Sequence, residues 1–246
     1  MIKNFFIFIV IFLPGCSGNY NFAWFSINPF HSQGSSNIEF LLGGLLTTIS
    51  VSIVSLILAA MLGLMVTLPT LSTKKSINYI NITYVEIFRS IPVLVLLLWI
   101  YYGLPSIFGG NLSFNPFVAG VITLVLHESA FISEIYRSGI QAINKGQVEA
   151  AKALGLNKSL VFFKIVLPQA IRIITPALLN QGIYILKMSS LISVIGLSDL
   201  TRRANELIVT TYRPLEIYTF LVLEYLVLVL IASYFVRKIE KRFEIK

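Results

Sequence analysis

Long apolar runs separated by short polar connections dominate the chain and predict helices that cross a membrane. The segments from Phe40 to Thr73 and from Ser90 to Leu126 contain no charged residue. A helix needs about 20 apolar residues to cross the hydrocarbon core of a bilayer. The pattern therefore predicts an all-α polytopic membrane protein with five core spans. We place these spans at about 41–68, 86–104, 116–136, 173–190 and 216–236.

Turn-forming residues refine these boundaries. The second uncharged run is too long for one helix, and Pro105, Gly109 and Pro116 divide it. Between the last two spans, the mildly apolar stretch from Ser189 to Leu200 predicts a short re-entrant or surface helix. After the last span, residues 237–246 are expected to form a basic tail.

Two local patterns predict how the spans pack. In the first span small residues recur every three or four positions and predict close approach by another helix; they are Gly44, Thr48, Ser52, Ser55, Ala59 and Gly63. In the second, Glu86 and Arg89 are three residues apart on one helix face. We expect them to form an ion pair at the membrane edge.

The N-terminus resembles an export signal. Lys3 precedes an apolar run from Phe5 to Leu13, which is shorter than the roughly 20 residues of a spanning helix. Residues 1–16 are therefore interpreted as a signal-peptide-like segment, either cleaved, acylated at Cys16, or retained as an anchor. Residues 17–38 contain no Lys or Arg and are expected to be extracytoplasmic.

Composition excludes a soluble protein and argues against nucleic acid as a partner. Mean hydropathy is +0.83, hydrophobic residues make up 56% and charged residues 12% of the chain, and a soluble domain carries about twice that charge. The net charge is +8. The basic residues, however, lie in the connections between apolar runs, where they would meet membrane lipid and the cytoplasm.

The distribution of basic residues predicts the orientation of the chain. The segment 137–172 has one acid, Glu149, and six basic residues; these are Arg137, Lys145, Lys152, Lys158, Lys164 and Arg172. The tail 237–246 is also basic, whereas 105–115 contains no Lys or Arg. The positive-inside rule therefore places 137–172 and the C-terminus in the cytoplasm. The segment 197–215 carries three Arg residues and is the exception.

No reactive constellation is evident in the sequence. Cys16 is the only cysteine, and no metal-ligand cluster, paired carboxylate site or phosphate-binding loop occurs. Ionisable and amide groups within spans are costly and are expected to face a cavity or a partner. The candidates for a substrate pathway are Glu128, Asn180, Gln181, Lys187 and Glu224. Hydrogen bonding between helices is the alternative role for each of them.

The most informative stretch is 147–168, QVEAAKALGLNKSLVFFKIVLP. It predicts two short helices, the first capped by Asn144 and ended by Gly155 in a left-handed conformation. Asn157 is expected to cap the second helix, and Pro168 to begin a new element. An amphipathic loop on the membrane surface is the alternative interpretation.

The spacing of Glu149-Ala150-Ala151, Gly155 and Ile165-Val166-Leu167-Pro168 resembles the EAA signature of ABC importer permeases. YVEIFRSIPVLVLLLWIYYGLP and SLISVIGLSDL are similar to the polar amino acid branch (histidine, glutamine and arginine type) of that family. The resemblance covers about residues 40–240 and implies a type I permease domain over 39–240. It also implies that one set of residues couples to an ATPase: Glu149, Ala150, Ala151, Leu154, Gly155 and Leu156.

The resemblance further implies a permease subunit of the bacterial inner membrane that imports a polar amino acid by alternating access. Its expected partners are an ABC ATPase dimer, an extracytoplasmic solute-binding protein, and a second copy or a sister permease. The chain itself would be no enzyme and would need no cofactor, since the ATPase would bind ATP and Mg²⁺.

One departure from the family pattern leaves the substrate open. Related permeases often have a Lys-Asp-Thr-Ser-like run where this chain has Lys187-Met188-Ser189-Ser190. The departure implies either a different substrate specificity or a binding site carried by the partner subunit. Beside the leading interpretation, two alternatives stay open: an ABC importer for another small polar solute, or a secondary transporter. The second alternative would favour internal repeats, and none is clear in the sequence.

Overall fold

The computed structural model describes residues 20–71, 75–109 and 113–243, and within them all regular secondary structure is helical. The α-helices are α1 (Ser32–Leu42), α2 (Leu45–Thr67), α3 (Lys75–Ser90), α4 (Val93–Leu98), α5 (Leu104–Ile107), α6 (Pro116–Gln141), α7 (Lys145–Ala153), α8 (Lys158–Val161), α9 (Leu167–Met188), α10 (Leu200–Thr211) and α11 (Pro214–Phe243). The 3₁₀ segments are Trp24–Ile27, Leu68–Leu71 and Ser189–Ile195, and the π-helical turns are Trp99–Gly103 and Phe162–Val166.

The predicted polytopic all-α fold is confirmed. Among the described residues, four helical runs are long and apolar enough to cross a membrane, namely Ser32–Thr67, Pro116–Gln141, Lys158–Ile195 and Pro214–Lys241. A fifth, Asn81–Ser90 with Val93–Ile107, bends by 97°. The predicted second span, 86–104, is therefore not one straight helix. The break lies at Ile91 and Pro92, because proline lacks an N–H and disfavours helical geometry in the residue before it.

The small residues of α2 let it pack closely against α6, as their spacing predicted. A Cβ on Gly63 would lie 2.8 Å from Cγ2 of Ile132 and 3.0 Å from the carbonyl oxygen of Ser129. One turn further on, the Thr67 hydroxyl donates to the Ser133 carbonyl at 3.1 Å. In a membrane the hydrophobic effect does not drive helices together, so close packing of their backbones and hydrogen bonds between them hold the pair.

The main apolar core lies where α2, α4, α6 and the end of α9 meet. Its buried side chains include Val51, Leu96, Leu97, Ile100, Leu124, Ile185 and Ile192. By contrast, much of α11 exposes large apolar side chains, such as Val222 and Leu230. Such a surface is what hydrocarbon would cover in a membrane protein.

The two π-helical turns each stand directly before a proline. The Leu104 N–H donates to the Trp99 carbonyl before Pro105, and the Leu167 N–H donates to the Phe162 carbonyl before Pro168. The wider turn accommodates a ring that would otherwise clash with the preceding turn. Pro168 stands at the second position of α9, which begins at Leu167, so the expected start of a new helix lies within one residue of the proline. This helix is continuous with the preceding turns, since the helical run extends from Lys158 to Ile195.

The segment after α9 also differs from expectation. Ser189–Ile195 continues α9 as a 3₁₀ helix whose Ile192 and Ile195 lie in the core, so it is not a surface helix. Gly196, at φ +91°, ends it. The following helix, α10, was not predicted. Its signals were present, since Asp199 caps it by accepting from the Arg202 N–H at 2.7 Å, and its buried residues Leu200, Ala204 and Leu207 follow helical spacing.

The first described residues are held against the start of α11. The buried Glu216 carboxylate accepts from the Ala23 N–H at 2.6 Å and from the Tyr20 hydroxyl. The proposed signal segment 1–16, with Cys16, lies outside the described residues. At the other end, α11 continues to Phe243, so residues 237–243 of the predicted basic tail are helical.

Candidate functional site

A buried polar cluster lies between α6 and α9. Glu128, near the middle of α6, is fully buried, and its Oε1 lies 2.8 Å from Nδ1 of His127. The side-chain amide of Gln181 on α9 donates to the other carboxylate oxygen. No Lys or Arg in the described part of the chain forms an ion pair with Glu128. The structure thus brings two of the predicted pathway residues together and adds His127, and we call these three residues the membrane cluster.

A small residue on α6 makes this arrangement possible. Gly139 of α6 faces the side chain of Ile174 on α9, which a Cβ on the glycine would overlap. Gly182 of α9 packs instead against α2, where a Cβ would lie 2.8 Å from Cδ2 of Leu56. Helices α6 and α9 therefore lie close enough for the short amide side chain of Gln181 to reach the carboxylate of Glu128.

The other three candidate pathway residues lie elsewhere. Asn180 donates to Oε1 of Glu240 at 2.9 Å. It does not join its neighbour Gln181 at Glu128, because successive residues on a helix point about 100° apart. Lys187 is exposed beside α11. Both carboxylate oxygens of Glu224 are buried with no hydrogen bond in the described part of the chain, beside an apolar cavity of about 290 Å³.

The first helix of the predicted coupling segment has the expected caps. The Asn144 side chain accepts from the Gly146 N–H at 2.8 Å at the start of α7. At its end Gly155 has φ +81°, its N–H donates to the Lys152 carbonyl, and the Leu156 N–H donates to the Ala151 carbonyl. This paired arrangement is a Schellman motif, which favours glycine because a Cβ is strained at positive φ. The predicted helix end is confirmed.

The second helix is also capped as predicted, since the Asn157 side chain accepts from the Leu160 N–H at 2.8 Å. One residue of the predicted coupling set does not face outward. Ala151 is 3% exposed and packs with Val161, Val166 and Ala170. Its small size therefore permits packing within the chain.

The remaining predicted coupling residues face outward. Glu149, Ala150 and Gly155 are exposed, Leu154 is 82% exposed and Leu156 is 36% exposed. Two further apolar residues that the sequence analysis missed join them, Leu160 and Phe163. A groove of about 790 Å³ lies alongside, lined by Val148, Glu149, Lys152 and Phe162 among others. The two capped helices therefore expose apolar side chains on one preformed surface.

The expected ion pair between Glu86 and Arg89 is not formed. Of these two side chains, Arg89 lies over the Phe131 ring at 5.1 Å, and Glu86 has no ion-pair partner in the described part of the chain. A cation gains from the face of an aromatic ring. The cation–π contact made by Arg89 therefore replaces the predicted local pair.

Comparison with known proteins assigns the chain to a family. Residues 59–245 match the family described as the binding-protein-dependent transport system inner membrane component. The chain belongs to this family. It is accordingly the membrane permease subunit of an ABC importer, which is a transporter component, and the alternative of a secondary transporter is not supported.

Individual permeases support the assignment. The arginine transport system permease protein ArtQ of Bacillus subtilis (strain 168) is 38% identical over 205 residues, covering 83% of this chain and 93% of ArtQ. The glutamine transport system permease protein GlnP of Escherichia coli (strain K12) is 33% identical over 224 residues, covering 91% of this chain and 99% of GlnP.

Solved structures agree on the fold. A crystal structure of an amino acid ABC transporter with histidines has a TM-score of 0.83 and 34% identity, covering 91% of this chain and 100% of that chain. An inward-facing structure of the MetNI methionine ABC transporter has a TM-score of 0.72, with 85% and 99% coverage. At 20% identity, that second likeness concerns the fold alone. The predicted type I permease fold is confirmed.

Proposed function

We propose that this permease imports a polar amino acid and that Glu128 and Gln181 line its pathway. The observation that carries the proposal is the fully buried carboxylate of Glu128 near the middle of a spanning helix, with an amide and an imidazole as its partners. A carboxylate at membrane depth is costly unless a cavity or a cationic ligand meets it. The ammonium group that every amino acid carries is such a ligand.

The names of the relatives support this substrate class, since they are arginine and glutamine permeases. Met188 supports a second class of solute. It stands where similar permeases often carry an acid, and a neutral residue there favours a substrate with less positive charge. Another small polar solute is therefore the second candidate, and glutamine is a better test substrate than arginine.

The proposed partners follow from the coupling segment. The exposed Leu154, Leu156, Leu160 and Phe163 offer apolar surface to an ATPase subunit, whose dimer would bind ATP and Mg²⁺. Closure of that dimer would move this segment and the attached α9 as one rigid unit, switching access to the membrane cluster. Five spans enclose no path alone, so a second permease copy or a sister subunit completes the channel, and an extracytoplasmic binding protein delivers the solute.

Reconstituted transport tests the proposal. The permease, its ATPase and its binding protein are placed in liposomes, and ATP-dependent uptake of labelled glutamine, arginine and histidine is measured. We expect uptake of at least one amino acid, competed by unlabelled amino acid and not by sugars. Uptake restricted to a non-amino-acid solute would contradict the substrate assignment while leaving the permease assignment intact.

The proposed orientation places the segment 137–172 and the C-terminus in the cytoplasm. In intact cells, a membrane-impermeant thiol reagent should not modify a Lys158→Cys variant made in a Cys16→Ser background, whereas it should do so in inside-out vesicles. Modification from the outside of intact cells would reverse the topology.

A further inference from the structure

A polar cavity lies between α3 and α6, apart from the membrane cluster. Its volume is about 370 Å³, within the roughly 300–1,000 Å³ typical of small-molecule sites. Seven polar residues line it, and we call the space the polar cleft: Asn78, Asn81, Glu86 and Arg89 from α3, and Glu134, Arg137 and Gln141 from α6.

These residues form a stripe on each helix. Ile82, Val85, Glu86 and Arg89 recur at intervals of three or four residues, so they share one face of α3. Both helices belong to candidate membrane spans, and the stripes lie toward the proposed cytoplasmic side, since Arg137 and Gln141 belong to the segment 137–172. Charged side chains at a membrane edge stay in contact with water, so the facing stripes imply an aqueous cleft.

The charges in the polar cleft are arranged for a zwitterion. Glu134 and Arg137 neutralise each other through two contacts, at 3.0 and 2.5 Å. Glu86 and Arg89 could pair along α3, but the contact of Arg89 with Phe131 holds the guanidinium apart. One free carboxylate and one separate guanidinium therefore face the same space. This pattern complements an ammonium and a carboxylate on one molecule.

The polar cleft lies between the two regions that transport requires. Phe131, under Arg89, also lies 5.2 Å from the ring of His127 in the membrane cluster. At the other end, Gln141 lines both the polar cleft and the groove beside Glu149 in the coupling segment. A solute leaving the membrane cluster toward the ATPase side would meet the polar cleft next.

We propose that the polar cleft is a second binding site, which holds the amino acid zwitterion after it leaves the membrane cluster. Glu86 receives the ammonium group and Arg89 the carboxylate. The inference rests on the proposed amino acid function and adds a release-side site to it.

Thiol labelling of matched variants tests the site in the reconstituted complex. Ile82 lines the polar cleft and Ile87 does not, yet they lie on the same helix and are 49% and 50% exposed. Each is changed to cysteine in a Cys16→Ser background, and a charged methanethiosulfonate is added from the ATPase side. Ile82→Cys should be modified at least about tenfold faster, because a charged reagent enters water and not hydrocarbon.

L-glutamine and L-arginine are then tested for protection of the Ile82→Cys variant. We expect protection by one of them, and none by its N-acetyl or decarboxylated derivative, since both charges are needed. Adding Arg89→Gln should abolish protection, whereas Arg202→Gln, a charge loss in an exposed pair with Glu206, should preserve it. Equal modification of Ile82→Cys and Ile87→Cys would overturn the inference.

Two other outcomes would also overturn it. Modification without protection by either amino acid would show an aqueous cleft that holds no zwitterion. Protection that depends on phosphatidylethanolamine, measured against liposomes of phosphatidylcholine alone, would assign the polar cleft to a lipid headgroup. If uptake succeeds while protection fails, only the second site is lost. If uptake also fails, the proposed function itself is wrong.

Discussion

The coupling segment and the membrane cluster use polar and apolar residues in opposite ways. In the coupling segment, polar side chains such as Asn144 and Asn157 cap helices locally, while apolar Leu154 and Phe163 are exposed. In the membrane cluster, a carboxylate is fully buried and its partner Gln181 comes from a helix 53 positions away in sequence.

In the coupling segment, the residues that stabilise the fold differ from the residues that are available to bind a partner. The caps and the buried Ala151 shape the coupling segment without using its exposed leucines, so those leucines remain free to bind another protein. In the membrane cluster no side chain is left over in this way, because His127 and Gln181 both bond to the buried carboxylate of Glu128. Substitutions in the two regions should therefore have different signatures, which the following variants are designed to separate.

The largest effect is expected in the membrane cluster. Glu128→Leu removes the acceptor for Gln181 and leaves buried donors unsatisfied, at a cost of about 1–3 kcal/mol. ATP-driven uptake should fall below detection. Glu224→Leu is the contrast, since Glu224 makes no hydrogen bond in the described residues. Equal loss of uptake in the two variants would contradict the proposal that Glu128, and not Glu224, is the carboxylate that transport requires.

A smaller but still large effect is expected at Gly155. Gly155→Val forces a β-branched residue to φ +81°, at a cost of about 1–2 kcal/mol, and should lower uptake and substrate-stimulated ATPase activity about tenfold. Gly109→Val is the matched control, because Gly109 also has a positive φ, +62°, and a Cβ there would likewise have no neighbour within 4 Å. Equal uncoupling by both variants would mean that backbone strain alone, wherever it is placed, explains the defect.

Opposite outcomes are expected at two neighbouring apolar positions. Leu154→Ser removes an 82% exposed side chain and should change stability by less than about 0.5 kcal/mol while weakening co-purification of the ATPase several-fold. Ala151→Leu overfills a buried position and should cost about 1–3 kcal/mol. Thermal unfolding and pull-down measurements separate the two effects. Normal ATPase binding by Leu154→Ser would remove this residue from the proposed contact.

The smallest effect is expected from the helix cap at Asn157. Asn157→Ala removes the acceptor of the Leu160 N–H and should cost about 1 kcal/mol, or about 2–4 °C in melting temperature. Asn144→Ala should behave alike, since its side chain makes an equivalent bond. Uptake should persist in both variants. A complete loss of transport at unchanged melting temperature would give these asparagines a direct role in coupling.

Local features could be predicted from the sequence because their partners are sequence neighbours. The caps at Asn144 and Asn157 and the left-handed Gly155 depend on groups within a few residues, and helical periodicity placed the small face of α2. The same reasoning failed at Glu86, because Arg89, its expected partner, lies over Phe131 on another helix. At Pro168 it located the start of α9 but not the π-helical turn that joins α9 to the preceding helix.

By itself, then, the sequence determined that the chain is an all-helical membrane protein with a connecting segment of two capped helices, since hydropathy and capping depend on the residues of each stretch. Only the tertiary structure decided which polar residues meet. Gln181 reaches Glu128 whereas its neighbour Asn180 reaches Glu240, because a rotation of about 100° per residue directs them to different helices. That choice depends on how α6, α9 and α11 pack, and packing joins residues far apart in the chain.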